Sequence, residues 1–243
     1  FLYYKKKISH IRIIDNLSTS NLNDLKKIQG FTVLKNTSDI DRKKKGIFFF
    51  KKNILNKSSV NLITKNIDVV IHLAANAGVE KSFSDPVFDL KNNILGTLNV
   101  LSASHLNNVS KVVIASSNAV VGKNDRAISE ITQTNPSNFY GLSKLTAEHY
   151  ARIFYETYNL KTICLRFGNV YGPGSVSKSS VIPKFIKNII LGKDCVINGD
   201  GNQTRDFIYV DDLILAIYKS IKDKKIGGEI FQISTGKKTS IKK

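Results

Sequence analysis

Six short apolar runs set the terms for this chain: residues 11–14, "IFFF" at 47–50, "DVVIHL" at 68–73, "KVVIAS" at 111–116, "KTICLR" at 161–166 and "EIFQIS" at 229–234. They are continuous rather than alternating, as expected for strands covered by helices on both faces. Helical patterns separate them near 21–28, 58–66, 86–107 and 139–158, with two more at 181–191 and 211–222. Repeated β–α alternation predicts an α/β fold with a doubly wound parallel sheet. Ligands of such sheets sit beyond the carboxyl ends of the strands. The residues just after each strand are therefore the first candidates for function.

Those residues are small or polar. "AANAG" (74–78) follows "VIHL", "SSNAVVG" (116–122) follows "VVIA", and "FGNVYGPG" (167–174) follows "ICLR". Small residues at adjacent strand ends let a flat ligand approach the backbone closely. The strand at 11–14 ends instead in Asp15 and Asn16. In a dinucleotide-binding unit such an acidic residue holds the adenosine ribose, about 20 residues after a glycine-rich loop. Only fourteen residues precede Asp15 and none is glycine.

The sharpest signal is "NFYGLSKLTAEH", 138–149. Tyr140 and Lys144 lie four apart at the start of a helix and share a face. An ammonium beside a phenol favours the phenolate and lowers its pKa. With the Ser117 hydroxyl sharing the proton, the tyrosine acts as general base toward a substrate alcohol while hydride leaves its carbon. Y-x-x-x-K alone is a common helical spacing. Its position 23 residues after the Ser117 strand end marks it as a site. In "GDGNQTRDFIYVDDL" (199–213), Arg205 offers a donor fork for a diphosphate; a surface salt bridge with Asp206 or Asp211 is the competing role. His72 reads as a satisfied core histidine, and Asp211–Asp212 as caps of the following helix.

Composition narrows the class. The hydrophobic share of 42% over 243 residues is globular, and no apolar run reaches the ~20 residues of a membrane helix. No signal-peptide order is visible, and Cys164 and Cys195 read as small buried residues of strands in a reducing compartment, so a cytoplasmic protein without a metal is expected. The net charge of +18 admits an anionic partner, but short lysine clusters on solvated faces, without aromatic interleaving, speak against nucleic acid.

"VIHLAA", "NNILGTLNVL", "VVIASSNAV", "YGLSKLTAEH", "LRFGNVYGPG" and "GDGNQTRDFIYVDDL" together resemble the extended short-chain dehydrogenase/reductases, the NAD-dependent epimerase/dehydratase family, and within it the UDP-glucose 4-epimerase type. The resemblance runs collinearly from about residue 8 to residue 240. It implies a Rossmann-type NAD-binding domain over 1–168 and a substrate-binding part over 169–243, with 206–222 packing back on the sheet. It also answers the Asp15 question. Asp15 and Asn16 match the end of the family's second strand, so the first strand and glycine loop would precede this sequence, residues 1–10 would end the first helix, and the far end would stop short of further helices. On that reading the recorded chain is a fragment, inactive by itself.

The resemblance implies NAD contacts at Asp15, Asn16, Asn53, Ile54, Leu73, Ala74, Ala75, Asn92, Tyr140, Lys144 and Gly168. Ser117, Tyr140 and Lys144 match the catalytic triad; Ser117, Asn169 and Arg205 match substrate contacts. Asn53 stands where an aspartate is common, and Val121 where many members have tyrosine. Family dehydratases carry an Asp-Glu pair just after the catalytic hydroxyl, and decarboxylases a glutamate. Here Asn118 and Ala119 follow Ser117. The expected activity is therefore nucleotide-sugar epimerisation, most simply of a UDP-sugar, through a transient 4-keto sugar, in a homodimer. The alternatives are another NAD-dependent nucleotide-sugar dehydratase, decarboxylase or reductase, and a non-catalytic Rossmann-type binder. Asp15 predicts NAD over NADP, because its carboxylate repels a 2′-phosphate.

Overall fold

The computed structural model describes residues 8–28, 30–36, 38, 45–124, 126–175 and 180–242. The first strand, β1 (His10–Asp15), is followed by α1 (Leu22–Ile28), β2 (Thr32–Val33) and β3 (Gly46–Lys51). These strands form a parallel sheet in the order β1-β3-β2, with Asp15 opposite Lys51. Helix α2 (Lys57–Thr64) leads to β4 (Val69–His72). Then come α3 (Val79–Ser84), α4 (Pro86–Leu90), a π-helical turn at Lys91–Leu95, and α5 (Gly96–Leu106). Strand β5 (Lys111–Ser117), helix α6 (Phe139–Tyr158) and strand β6 (Lys161–Phe167) complete the middle of the chain. The remaining elements are β7 (Asn169–Tyr171), α7 (Val181–Ile190), β8 (Thr204–Arg205), β9 (Phe207–Tyr209), α8 (Val210–Lys222), β10 (Ile230–Ile233) and β11 (Thr239–Ser240).

The second large sheet is also parallel, in the order β10-β6-β5-β4. Its strands are apolar on both faces because helices cover both. On one face Leu101 of α5 and Ala151 and Phe154 of α6 pack on Val112, Ile114 and Cys164. On the other, Ile217 and Ile221 of α8 pack on Val113, Ile163 and Leu165. Helix α8 thus packs on the sheet. Val60, Val100, Ala103 and Ile54 form a cluster touched by Ile14 of β1 and Val70 of β4, which joins the two sheets through the α2–α5 layer.

All six apolar runs become strands, and the six helical patterns become helices within a few residues. The long pattern at 86–107 is broken by the π-turn, and α3 adds a helix that periodicity does not reveal. Cys164 is buried in β6, but Cys195 lies outside any strand of the described residues and is only partly buried, its thiol donating to the Phe185 carbonyl of α7 at 3.7 Å. Residues 1–7 of the expected first-helix end lie outside the described residues, and Ser9–His10 lead into β1. Among the described residues no helix is long and apolar enough to cross a membrane.

Candidate active site

The site assembles where β5 ends and α6 begins. Asn138 caps α6 with its side-chain oxygen, which accepts from the Gly141 N–H at 2.8 Å. Gly141 is required by proximity: a Cβ there would lie 2.4 Å from the Ala119 carbonyl oxygen. The glycine lets the first turn of α6 rest on the 3-10 turn Asn118–Val120 that follows β5. The "NFYG" stretch is thus what delivers Tyr140 to Ser117.

The Ser117 hydroxyl accepts from the Ala119 N–H at 3.2 Å and lies close enough to the Tyr140 phenol to lower its pKa. The Lys144 ammonium lies 5.9 Å from the Tyr140 ring centroid and donates to the Ala115 carbonyl at 3.0 Å. Burial raises the phenol above its usual pKa, the Ser117 bond pulls it down and the Asp89 charge pushes it up. The sequence argument that Lys144 depresses the phenol is therefore corrected. The ammonium is engaged by the strand and sits over the ring, so lost hydration of the phenolate dominates. Lys144 itself is pushed down to about 8, by burial first, with the Asp89 and Cys164 charges opposing.

Neutral polar groups back the site. His72 is buried, shares a hydrogen bond of 2.9 Å with Thr97, and is held neutral by burial and then by the Lys144 charge, down to about 3. It is a core histidine, as expected. Asn93, in the π-turn, accepts from the Asn76 N–H at 2.8 Å and donates toward Asp89 and Ser143, each at 3.0 Å. Ser143 in turn donates to the Tyr140 carbonyl at 3.0 Å. Asp89, Asn93 and Ser143 escaped the sequence reading. Its one available signal was a run of polar residues, "DLKNN", inside a helix with an apolar face.

The remaining expected residues divide into two groups. Asp15 accepts from the Leu17 N–H at 2.6 Å and Asn16 from Ser18 at 3.0 Å, two successive Asx turns at the end of β1. Asn53 accepts from Leu55 at 2.9 Å. Ile54 turns its side chain into the core, so its carbonyl, shared with Asn99, is its polar face. Leu73 is 57% exposed and Ala74 is exposed, directly beyond β4, whose register pairs His72 with Ile114. Asn92 is buried and donates to Phe88 at 2.8 Å. Gly168 donates to the Ile233 carbonyl at 3.0 Å.

Asn169 and Arg205 lie on the small sheets β7–β9 and β8–β11 rather than on the large ones. Asn169 meets the Asp206 carbonyl. The Asp206 carboxylate accepts from Thr235 and Gly236, so it is not the partner of Arg205. Arg205 is exposed and, among the described residues, makes no ion pair. Asp211 and Asp212 stand in the first turn of α8, where the helix dipole favours them, but no side chain caps that helix.

An exposed leucine and alanine at one strand end, a carboxylate at another and a buried ammonium at a third fit a dinucleotide. The model of the NAD-dependent epimerase/dehydratase family matches residues 5–234, and the chain belongs to that family. NAD is the family's cofactor. A putative UDP-glucose 4-epimerase of Methanocaldococcus jannaschii is 36% identical, covering 94% of this chain and 70% of that relative. A dTDP-D-glucose 4,6-dehydratase of Dictyostelium discoideum is 34% identical over 97% of this chain, which spans 54% of it. A solved UDP-glucuronic acid 4-epimerase of Bacillus cereus, in complex with UDP-glucuronic acid and NAD, superposes with a TM-score of 0.81 at 31% identity. The match covers 96% of this chain and 71% of that one.

Proposed function

We propose that the protein is an NAD-dependent nucleotide-sugar 4-epimerase whose substrate is a UDP-sugar. One observation carries the reading. Ser117, Tyr140 and Lys144 converge at one strand end, and the residues that follow Ser117 are Asn118 and Ala119, not the carboxylates an elimination needs. Asn118 accepts a hydrogen bond from Gln232, which suits a structural amide rather than an acid.

In this reading Tyr140 takes the proton of the sugar C4 hydroxyl and later returns it, with Ser117 sharing the hydrogen bond. Bound NAD supplies the hydride acceptor and then the donor. Lys144 anchors the nicotinamide ribose. Asp15 and Asn16 hold the adenosine ribose. Asn53, Ile54, Leu73, Ala74, Ala75, Asn92 and Gly168 line the cofactor's path, and Asn169 and Arg205 hold the diphosphate. The boundary between cofactor and substrate parts falls at 168–169. The assembly is a homodimer formed by the outer faces of α3, α4 and α6, where Phe83, Val87, Leu90, Leu142 and Ile153 are exposed. Free Cys164 and Cys195 suit a cytoplasmic setting.

The test is product identity. Incubation of the full-length protein with UDP-glucose and NAD, followed by NMR of the anomeric protons, should give a mixture with UDP-galactose from either direction. A 4-keto-6-deoxy product would replace this reading with dehydration. Binding without conversion of any UDP-sugar would leave a binder.

A further inference from the structure

One turn beyond Lys144, α6 carries a carboxylate away from water. Glu148 and Arg166 are each 3% exposed. Glu148 Oε1 accepts from Arg166 Nε at 2.9 Å and Oε2 from Arg166 Nη2 at 2.8 Å. The fork is bidentate, so the arginine fixes the plane of the carboxylate. Such a pair gains little stability for itself, because the desolvation of both ions offsets their attraction. Its third partner points to another role. Ser116 Oγ donates to Glu148 Oε1 at 2.6 Å, and the next residue is Ser117.

Helix α6 therefore grips the end of β5 at two successive residues, Ala115 through Lys144 and Ser116 through Glu148. The opposite side is tied as well. Arg166 stands opposite Ser116 in the β5–β6 register, and its carbonyl accepts from Gln232 Nε2, which also donates to Asn118. Ser117 lies between these ties, paired with Phe167 of β6, its hydroxyl accepting from the Ala119 N–H at 3.2 Å and lowering the pKa of the nearby Tyr140 phenol. We propose that Glu148, locked by Arg166 and acting through Ser116, is the positioning residue that sets the Ser117 hydroxyl against Tyr140. The inference rests on the proposed function in taking Tyr140 as the acid–base group. Glu148 touches neither substrate nor cofactor in this role.

Ser116→Ala tests it. The change removes the link but leaves the Glu148–Arg166 pair whole, so the fold should survive with little change in melting temperature. Turnover of the sugar nucleotide should fall roughly 10-fold at unchanged KM, the scale of a small misplacement of a catalytic group. Ser116→Thr, which keeps the hydroxyl, should recover most of it. A second readout needs no turnover: tyrosine-¹³Cζ NMR titration, with Tyr140 assigned by Tyr140→Phe. The groups facing that phenol are Ser117 from β5, Asp89 from α4 and Lys144 from its own helix. Ser117 alone among them is held through Ser116, and its bond pulls the phenol down. Ser116→Ala should therefore move the Tyr140 titration upward. An unmoved titration overturns the inference, whatever the turnover. If the full-length protein without substitutions converts no sugar nucleotide, the proposed function fails and the titration still decides this point.

Discussion

The two large sheets are both parallel, yet they carry different burdens. In the four-stranded sheet, β5 and β6 are buried almost end to end, and helices lie on both faces. Near its strand ends stand Ala115, which accepts from Lys144 of α6, and Ser117, both paired in register with β6. The three-stranded sheet is looser: β1 is half-buried along its length, β2 is exposed, and Asp15 rests on a local turn. Hydride and proton transfer need atoms placed within fractions of an ångström, which takes an over-determined surround. Holding a ribose needs an acceptor at a strand end, which one turn can supply. The comparison predicts that changes in the first sheet act on affinity and changes in the second on rate.

The largest expected effect is at Lys144. Lys144→Met should abolish turnover more completely than any other single change, since it removes the proposed anchor of the nicotinamide ribose. It should also alter stability in a defined way. The folded ammonium is pushed down to about 8 from 10.5 in the unfolded chain. Between those values the unfolded chain keeps a proton that the folded chain has released, so stability rises with pH there. Melting curves of Lys144→Met across pH 8–10.5 should show a flatter rise than the unaltered protein. An equally steep rise would mean that the ammonium is not buried as described.

Next is Tyr140→Phe, expected to lower turnover by about 10²–10⁴-fold with NAD still bound, because the ring keeps its packing. Burial raises the Tyr140 pKa, so turnover should increase with pH through the neutral range as more phenolate forms. Full activity of Tyr140→Phe with an intact circular dichroism spectrum would sink the assignment. Ser117→Ala removes one hydrogen bond and no charge, and roughly 10–100-fold in kcat is expected. An effect on KM alone would move Ser117 from the chemistry to substrate binding.

Much of this was legible in the sequence, for identifiable reasons. Strands buried on both faces print continuous apolar runs, and the Y-x-x-x-K spacing prints a helix face, so β5, β6, Tyr140 and Lys144 could be read directly. The direction of the Tyr140 pKa could not. It depends on whether the ammonium faces the phenol oxygen or the ring and strand, which spacing does not encode. The Asp89–Asn93–Ser143 network was hidden because Ser143 comes from another helix 50 residues away, a pairing that no helical period encodes. Arg205 was recognisable as a donor, but its release from Asp206 depends on the distant loop Thr235–Gly236 claiming that carboxylate.

The smallest expected effect tests the other side of the comparison. Asp15→Asn keeps the size of the side chain and its acceptor oxygen for the Leu17 N–H, so the turn after β1 should persist. It removes the negative charge that makes hydrogen bonds from ribose hydroxyls strong. NAD affinity should weaken by roughly 10-fold, the change expected when a charge-assisted bond becomes a neutral one. Discrimination against NADP should shrink too, because the repulsion of a 2′-phosphate is gone. At saturating NAD, kcat should be unchanged, since nothing in the four-stranded sheet has moved. Isothermal titration with NAD and NADP, followed by turnover at saturating cofactor, separates these outcomes. A lowered kcat at full occupancy would break the division between the sheets, because it would show that the β1 end helps to place the nicotinamide as well as hold the adenosine.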